Sequence, residues 1–311
     1  MGATEKNILS NLTAGASSHS KEALDRLSAQ DFPTRKSEAW KYTRVAKLVN
    51  SEVKISGETP VADQFKISGL DSYKVVISNG KLIASDLTSE NGVTIKQLEA
   101  EDAYLNSQTD KEEIFTNINT AYDHDGVLIH IEKNTILEKS IEIINVIDGQ
   151  ATMAQPRKLI VAEQGAEAHI VDGYYSTENG FSFTNGVTEV VVKENAKVHL
   201  DKIQYESTDH WNINSEYVYQ ESNSRFTINT ITLNGGTVRN GLNIIVDGQN
   251  CETYLNGLYL LKDEQHVDNH TLVDHKQPMI FTIYVAFHDY RSAHFLSLRK
   301  GNQCILIVVD S

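Results

Sequence analysis

IVAEQGAEAHIVDGYY (residues 160–175), VVVKENAKVHLDKIQY (190–205), VYQESNSRFTINTITL (218–233) and IVDGQNCETYLNGLYL (245–260) repeat one pattern in register. Each is an apolar strand, a short polar corner, then a second strand of alternating character. Superposed, the corners fall on Gly165, Asn195, Asn223 and Asn250, so the pattern advances by 30, 28 and 27 residues. A repeat of that length built from strands alone is the signature of a stacked array. Gly, and after it Asn, enters the left-handed backbone region at least cost. A chain that turns sharply once per rung needs such a residue at the same place each time. Beyond the corners, Ala168 and Ile170, Val198 and Leu200, Phe226 and Ile228, and Thr253 and Leu255 occupy alternate positions. They share one face of a strand. His169, His199, Thr227 and Tyr254 lie on the other face. A β-sandwich also alternates, but register kept over four units favours a β-solenoid, in which this face stacks inward from rung to rung.

Around this array the chain has ample material for a core. It has 311 residues, of which 40% are hydrophobic, enough for one large domain or two ordinary ones. The net charge of −14 argues against a nucleic-acid partner. Two cysteines, Cys251 and Cys304, exclude a disulfide framework and fit a reducing compartment. With no secretory pattern and no membrane-length apolar run, the sequence reads as cytoplasmic.

Before the array, residues 1–124 read as a mixed α/β region that would cover the open end of the solenoid. A helix is expected over Ser20–Ser28, from Ala23, Leu24 and Leu27. A second is expected to open after Thr34 or Ser37 and to carry Trp40, Val45 and Leu48. Residues 51–72 read as a linker. Asn79-Gly80 between two apolar runs predicts a hairpin. Asp110–Tyr122 predicts a helix with acidic residues in its first turn. The solenoid core is expected over 125–278, opening with the strand VLIHIE after Asp125-Gly126. From Met279 the corner pattern lapses, and FTIYVAF and ILIVV are apolar and low in charge. Residues 279–311 are therefore set apart as an anomalous tail.

No nucleotide loop, dinucleotide fingerprint or nucleophile elbow is present. The densest set of metal-ligand types is His266, Asp268, His270, Asp274 and His275. On a strand, His266, Asp268 and His270 share a face and could hold zinc or iron, the alternative being an ordinary polar outer face. Cys251 follows its corner where Ala166, Ala196 and Ser224 follow theirs, so it reads as a small buried side chain. Trp40 reads as packed on the core. His169 and His199, one rung apart and outward, read as surface. The residues alone assign no catalytic residue, no cofactor-binding residue and no metal ligand.

FPTRKSEAWKYT (32–43), FTNINTAY (115–122), Asp125-Gly126, Leu233-Asn234-Gly235-Gly236 with Arg239, LNGLY (255–259) and QHVDNHT (265–271) followed by His275 together resemble the SufD family. These are scaffold components of the SUF iron–sulfur cluster assembly machinery. The resemblance covers about 1–278. It implies a mainly β fold with a right-handed parallel β-helix core, and a non-catalytic scaffold role. It also implies partnership with a SufB-like paralogue and a SufC-like ATPase in a SufBCD complex, and a transient iron–sulfur cluster shared with the partner scaffold. The family continues beyond the equivalent of Pro278 with further rungs and a helical ATPase-docking region that 279–311 do not match. A reading-frame shift would account for that tail, and weak ATPase docking is then expected. The other readings are a β-helix polysaccharide lyase or hydrolase, and a metal-delivery module using His266, Asp268 and His270. The lyase lacks the expected secretory signal and any clear carboxylate pair.

Overall fold

The computed structural model describes residues 7–55, 65–122, 125–277, 283–288, 294–300 and 303–309. The helices are α1 (Ser18–Ala29), α2 (Ala46–Val49) and α3 (Ile114–Ala121). The strands run β1 (Ser72–Ser78), β2 (Lys81–Ser85), β3 (Ser89–Glu90), β4 (Val93–Gln97), β5 (Gly126–Ile131), β6 (Ser140–Ile147), β7 (Met153–Ala154), β8 (Arg157–Ala162), β9 (Glu167–Ser176) and β10 (Ser182–Val192). They continue with β11 (Lys197–Tyr205), β12 (His210–Gln220), β13 (Arg225–Asn234), β14 (Thr237–Val246), β15 (Glu252–Tyr259), β16 (His266–His275), β17 (Ile283–His288), β18 (His294–Lys300) and β19 (Gln303–Val309).

The strands form two facing sheets. One has the order β17-β15-β13-β11-β9-β6-β1-β2, the other β19-β18-β16-β14-β12-β10-β8-β5-β4-β3. The chain crosses between sheets at every rung, and strands two apart in sequence pair in parallel. This is the expected β-solenoid, about five turns long. All four corners are left-handed, with φ of 72° at Gly165, 59° at Asn195, 57° at Asn223 and 56° at Asn250. Asn134, with φ 60°, makes a fifth corner below them. The corners stack. The N–H groups of Asn134, Gly165, Asn195 and Asn223 donate to the carbonyls of Gln164, Glu194, Ser222 and Gln249 on the next rung, at 2.8 to 3.1 Å. The residues just past the corners, Ala166, Ala196, Ser224 and Cys251, are all buried, because only a small side chain fits inside so tight a bend.

One detail of register differs. Aligning the fourth unit on its corner pairs Ile245 with Val218, but Ile244 is the partner of Val218. The side-chain period of a strand is two, so a slip of one would turn Ile244 and Val246 outward. Both are buried. The extra residue is taken up in the bend before Asn250 instead.

The N-terminal region contributes to the solenoid itself. Asn79 and Gly80 turn the expected hairpin with φ of 48° and 89°, and β1 runs parallel to β6 as a full member of its sheet. Strand β4 pairs antiparallel with β5, and the short β3 beyond it ends the other sheet. At the opposite end, β17 lies parallel to β15 and β18 parallel to β16, and β19 folds back antiparallel on β18. The lapse of the corner pattern after Met279 predicts no such continuation. An open solenoid edge offers a row of unpaired N–H and C=O groups, and a proline-free run of high strand propensity completes it readily.

The interior has two halves. Near the corners it is aliphatic, with Ile160, Ile170, Val190, Val198, Leu200, Val218, Ile228 and Ile244 buried. Away from them the same inward positions carry charge. Lys158 Nζ donates to both Asp172 oxygens at 2.5 and 2.7 Å and to the Tyr174 hydroxyl at 2.7 Å. Lys202 Nζ donates to Glu216 Oε1 at 2.5 Å and to Asn240 Oδ1 at 2.7 Å. All of these side chains are buried. Burial pushes the Lys158 ammonium below the usual lysine range, and Asp172 works against that shift. Burial likewise raises the Tyr174 phenol.

A buried pair of this kind is tolerated because each charge has its partner. Removing one partner costs about 3–5 kcal/mol, whereas replacing both with apolar groups is close to neutral. Asp172→Ala is therefore expected to lower stability by about 3–5 kcal/mol, and Lys158→Met with Asp172→Leu to recover most of the loss. Urea unfolding followed by circular dichroism checks this. A double variant as unstable as the single one would contradict it.

Candidate functional site

The N-terminal helices pack against the outer face of the second sheet. Helix α1 starts where Ser17 accepts the Ser20 N–H at 3.0 Å. Helix α3 is shorter than expected because Glu113, not Asp110, caps it by accepting the Phe115 N–H at 3.2 Å. Every residue of α3 is buried, since it lies between α1 and β10. That explains its polar content. Asn119 Nδ2 donates to the Asn185 carbonyl at 2.8 Å, and Asn185 Nδ2 returns a bond to the Phe115 carbonyl at 3.0 Å. The Thr116 hydroxyl meets the Tyr217 hydroxyl at 2.8 Å. Phe115 gathers Trp40, Phe32 and Phe183 at centroid distances of 5.0, 5.8 and 6.2 Å.

The segment after α1 does not form the single second helix expected. It is a 3-10 turn over Glu38–Trp40 followed by the short α2. Arg239 on β14 pins the chain at this point. Its Nη2 donates to the Ala39 carbonyl at 2.7 Å, and that carbonyl is the acceptor a continuous helix would give to the Thr43 N–H. The guanidinium sits 4.0 Å from the Trp40 ring centroid and pairs with Asp268. The Thr43 hydroxyl lies 2.5 Å from the same carboxylate and 3.0 Å from His266 Nε2.

His266, Asp268 and His270 thus share a strand face as expected, but that face is a dock. Asp268 is committed to Arg239 and Thr43. Burial, aided by the nearby Arg239 charge, holds His266 and His270 below the usual histidine range, with Asp268 opposing. Trp40 is buried, in line with the packing expectation. Asp274 lies apart from the dock, in a 2.5 Å ion pair with Lys276. Cys251 is also buried. Its Sγ lies 3.1 Å from the Glu221 carbonyl, and burial raises the thiol above its ordinary value, so it is held as an unreactive thiol. The side chains of 279–311, Cys304 included, lie outside the described residues.

Among the described residues, one group of three brings metal-type donor atoms within 4.8 Å of one another: His169, His199 and Asp201. His169 on β9 and His199 on β11 are paired across adjacent rungs, with ring centroids 4.6 Å apart. Asp201 follows His199 by two residues and so shares its outward face. Its two oxygens lie 2.7 Å from His169 Nε2 and 3.0 Å from His199 Nε2. Burial acts to raise the Asp201 carboxyl, but hydrogen bonds from His199, His169 and Asn229 outweigh it and hold the group well below the usual carboxylate range. The outward stacking of the two histidines is legible in the sequence, and the carboxylate joins them only in the fold. The signal was there in His199-x-Asp201.

Two expectations follow from these geometries. Arg239→Ala leaves the buried Asp268 uncompensated and is expected to cost about 3–5 kcal/mol, with faster hydrogen exchange across 37–49. Adding Asp268→Asn is expected to restore part of the loss. At Asp201 the folded pKa lies below the unfolded value of about 3.9, so its stabilisation is present above that value and lost as pH falls below about 4. Asp201→Asn is expected to flatten this acid limb in urea unfolding measured from pH 5 downward. An unchanged limb would contradict the assignment.

Two family models match the chain: the SufBD protein N-terminal region over residues 3–143, and the SufBD core domain of SUF system FeS cluster assembly over 145–279. An iron–sulfur cluster assembly SufBD family protein of Synechocystis is 26% identical, covering 88% of this chain and 65% of the relative. The iron–sulfur cluster assembly protein SufD of Escherichia coli is 23% identical over 84% of this chain and 63% of its own. The chloroplastic protein ABCI7 of Arabidopsis thaliana is 24% identical over 81% and 58%. The chain thus spans less than two thirds of the length of these relatives. No helix among the described residues is long and apolar enough to cross a membrane. With both family models matched end to end across a parallel solenoid and its N-terminal helical layer, the chain belongs to the SufBD family of iron–sulfur cluster assembly proteins.

Proposed function

We propose that the chain is a scaffold subunit without turnover of its own, working with a SufB-like paralogue and a SufC-like ATPase. In this reading the two solenoids associate edge to edge. Nucleotide hydrolysis by the ATPase supplies the motion, and the nascent iron–sulfur cluster is a transient cargo shared between the scaffolds. The observation that carries the reading is the paired family match, which covers residues 3–143 and 145–279 and so takes in the helical layer and the rungs through β16. The character of the interior agrees with it. Its buried charges are paired with one another and with neighbouring amides, as in a rigid support.

Co-expression with the SufB-like and SufC-like proteins of the same organism tests the proposal. The expected result is equimolar co-purification of the SufB-like paralogue through size exclusion. Elution of the chain alone, with both candidates soluble and paired with each other, would overturn it.

A further inference from the structure

We infer that His169, His199 and Asp201 form a binding site for a divalent first-row transition cation on the outer face of the first sheet. The donor set is two imidazoles and one carboxylate, suited to zinc or ferrous iron. It is assembled by regular sheet geometry. Neighbouring strands about 4.8 Å apart bring the two imidazoles together, and the two-residue period adds the carboxylate on the same face. Bonds of about 2.0–2.1 Å to a tetrahedral ion place donors about 3.3 Å apart. The carboxylate oxygens already stand 2.7 and 3.0 Å from the two nitrogens.

The hydrogen-bond pattern shows which contact an ion would relieve. Asn256 Nδ2 donates to Asn229 Oδ1 at 2.7 Å, which turns the Asn229 amide nitrogen toward the site. That nitrogen lies 2.6 Å from Asp201 Oδ1 and 2.8 Å from His199 Nε2. If His199 Nε2 carries a proton for Asp201, it faces the Asn229 donor hydrogen to hydrogen. If it does not, its lone pair faces the Asp201 carboxylate. Neither neutral tautomer satisfies every contact. A cation taking the His199 lone pair and the Asp201 oxygens relieves the imidazole–carboxylate clash, and the Asn229 amide then keeps its bond to Asp201 Oδ1 alone. Ser140 Oγ lies 3.0 Å from His169 Nδ1 and can take that N–H, leaving Nε2 free to bind the ion. With His169 and His199 each about two-fifths exposed, positions remain open on the solvent side.

Zinc titration of the full chain against a chromophoric competitor tests the site. One Zn²⁺ per chain is expected, with Co²⁺ giving absorption bands of nitrogen and oxygen coordination. Ser140→Ala is expected to weaken binding about 10- to 100-fold, the usual effect of losing a group that orients a ligand. His169→Ala, His199→Ala and Asp201→Asn are expected to abolish saturable binding, and His130→Ala, at a separate exposed histidine, to leave it unchanged. Melting without metal establishes that each variant is folded, and zinc is expected to raise the melting temperature of the unaltered and His130→Ala chains but not of the His169→Ala, His199→Ala and Asp201→Asn chains. Absence of saturable zinc binding, or equal binding by a folded His169→Ala/His199→Ala double variant, would overturn the inference. The titration uses the isolated chain, so its outcome is independent of the scaffold proposal.

Discussion

The hydrogen bonds that tie each left-handed corner to the next govern the rest of this structure. Every rung must change direction within a few residues, and an L-residue other than Gly pays roughly 1–2 kcal/mol to enter that backbone region. Asn reduces the penalty, and the N–H of each corner then meets the carbonyl ahead of the next corner. Because the bends stack, the strands leaving them stack too. That alignment sets which side chains point inward, and the two faces of every strand follow from it.

Stacking creates a problem as well as a core. An inward position in the middle rungs is closed to water, so a charge placed there must find its partner in the same or an adjacent rung. Lys158 with Asp172 and Lys202 with Glu216 meet this condition. The apolar half near the corners supplies the burial energy, and the charged half restricts which rungs can neighbour one another. On the outside the same register produces opposite results at two places. At β14 and β16, Arg239 and Asp268 are covered by the Trp40 segment and bind the helical layer to the solenoid. At β9 and β11, His169, His199 and Asp201 remain partly open to solvent.

The helical layer and the rungs are joined by buried polar contacts with defined geometry, such as the exchange between Asn119, Asn185 and the Phe115 carbonyl. These contacts also explain how a helix containing Thr116, Asn117, Asn119 and Thr120 is buried on every side. The amides serve the backbone of the sheet beneath them.

The solenoid, the four corners, the burial of Cys251 and the Asn79-Gly80 hairpin were readable from the chain alone. Each rests on local chemistry: a two-residue period, a residue suited to positive φ, a small side chain after a bend. Contacts between distant segments were not readable. Where a helix is expected through Trp40, the chain is instead pinned at the Ala39 carbonyl by Arg239, some two hundred residues away. His266, Asp268 and His270 look like ligands in one dimension and act as a dock in three. The charged half of the interior escaped notice because the partners of Lys158 and Lys202 lie on the facing sheet. Local propensity is carried by neighbours in sequence, whereas the pairing of a buried charge and the convergence of donor atoms depend on which rungs the fold brings side by side.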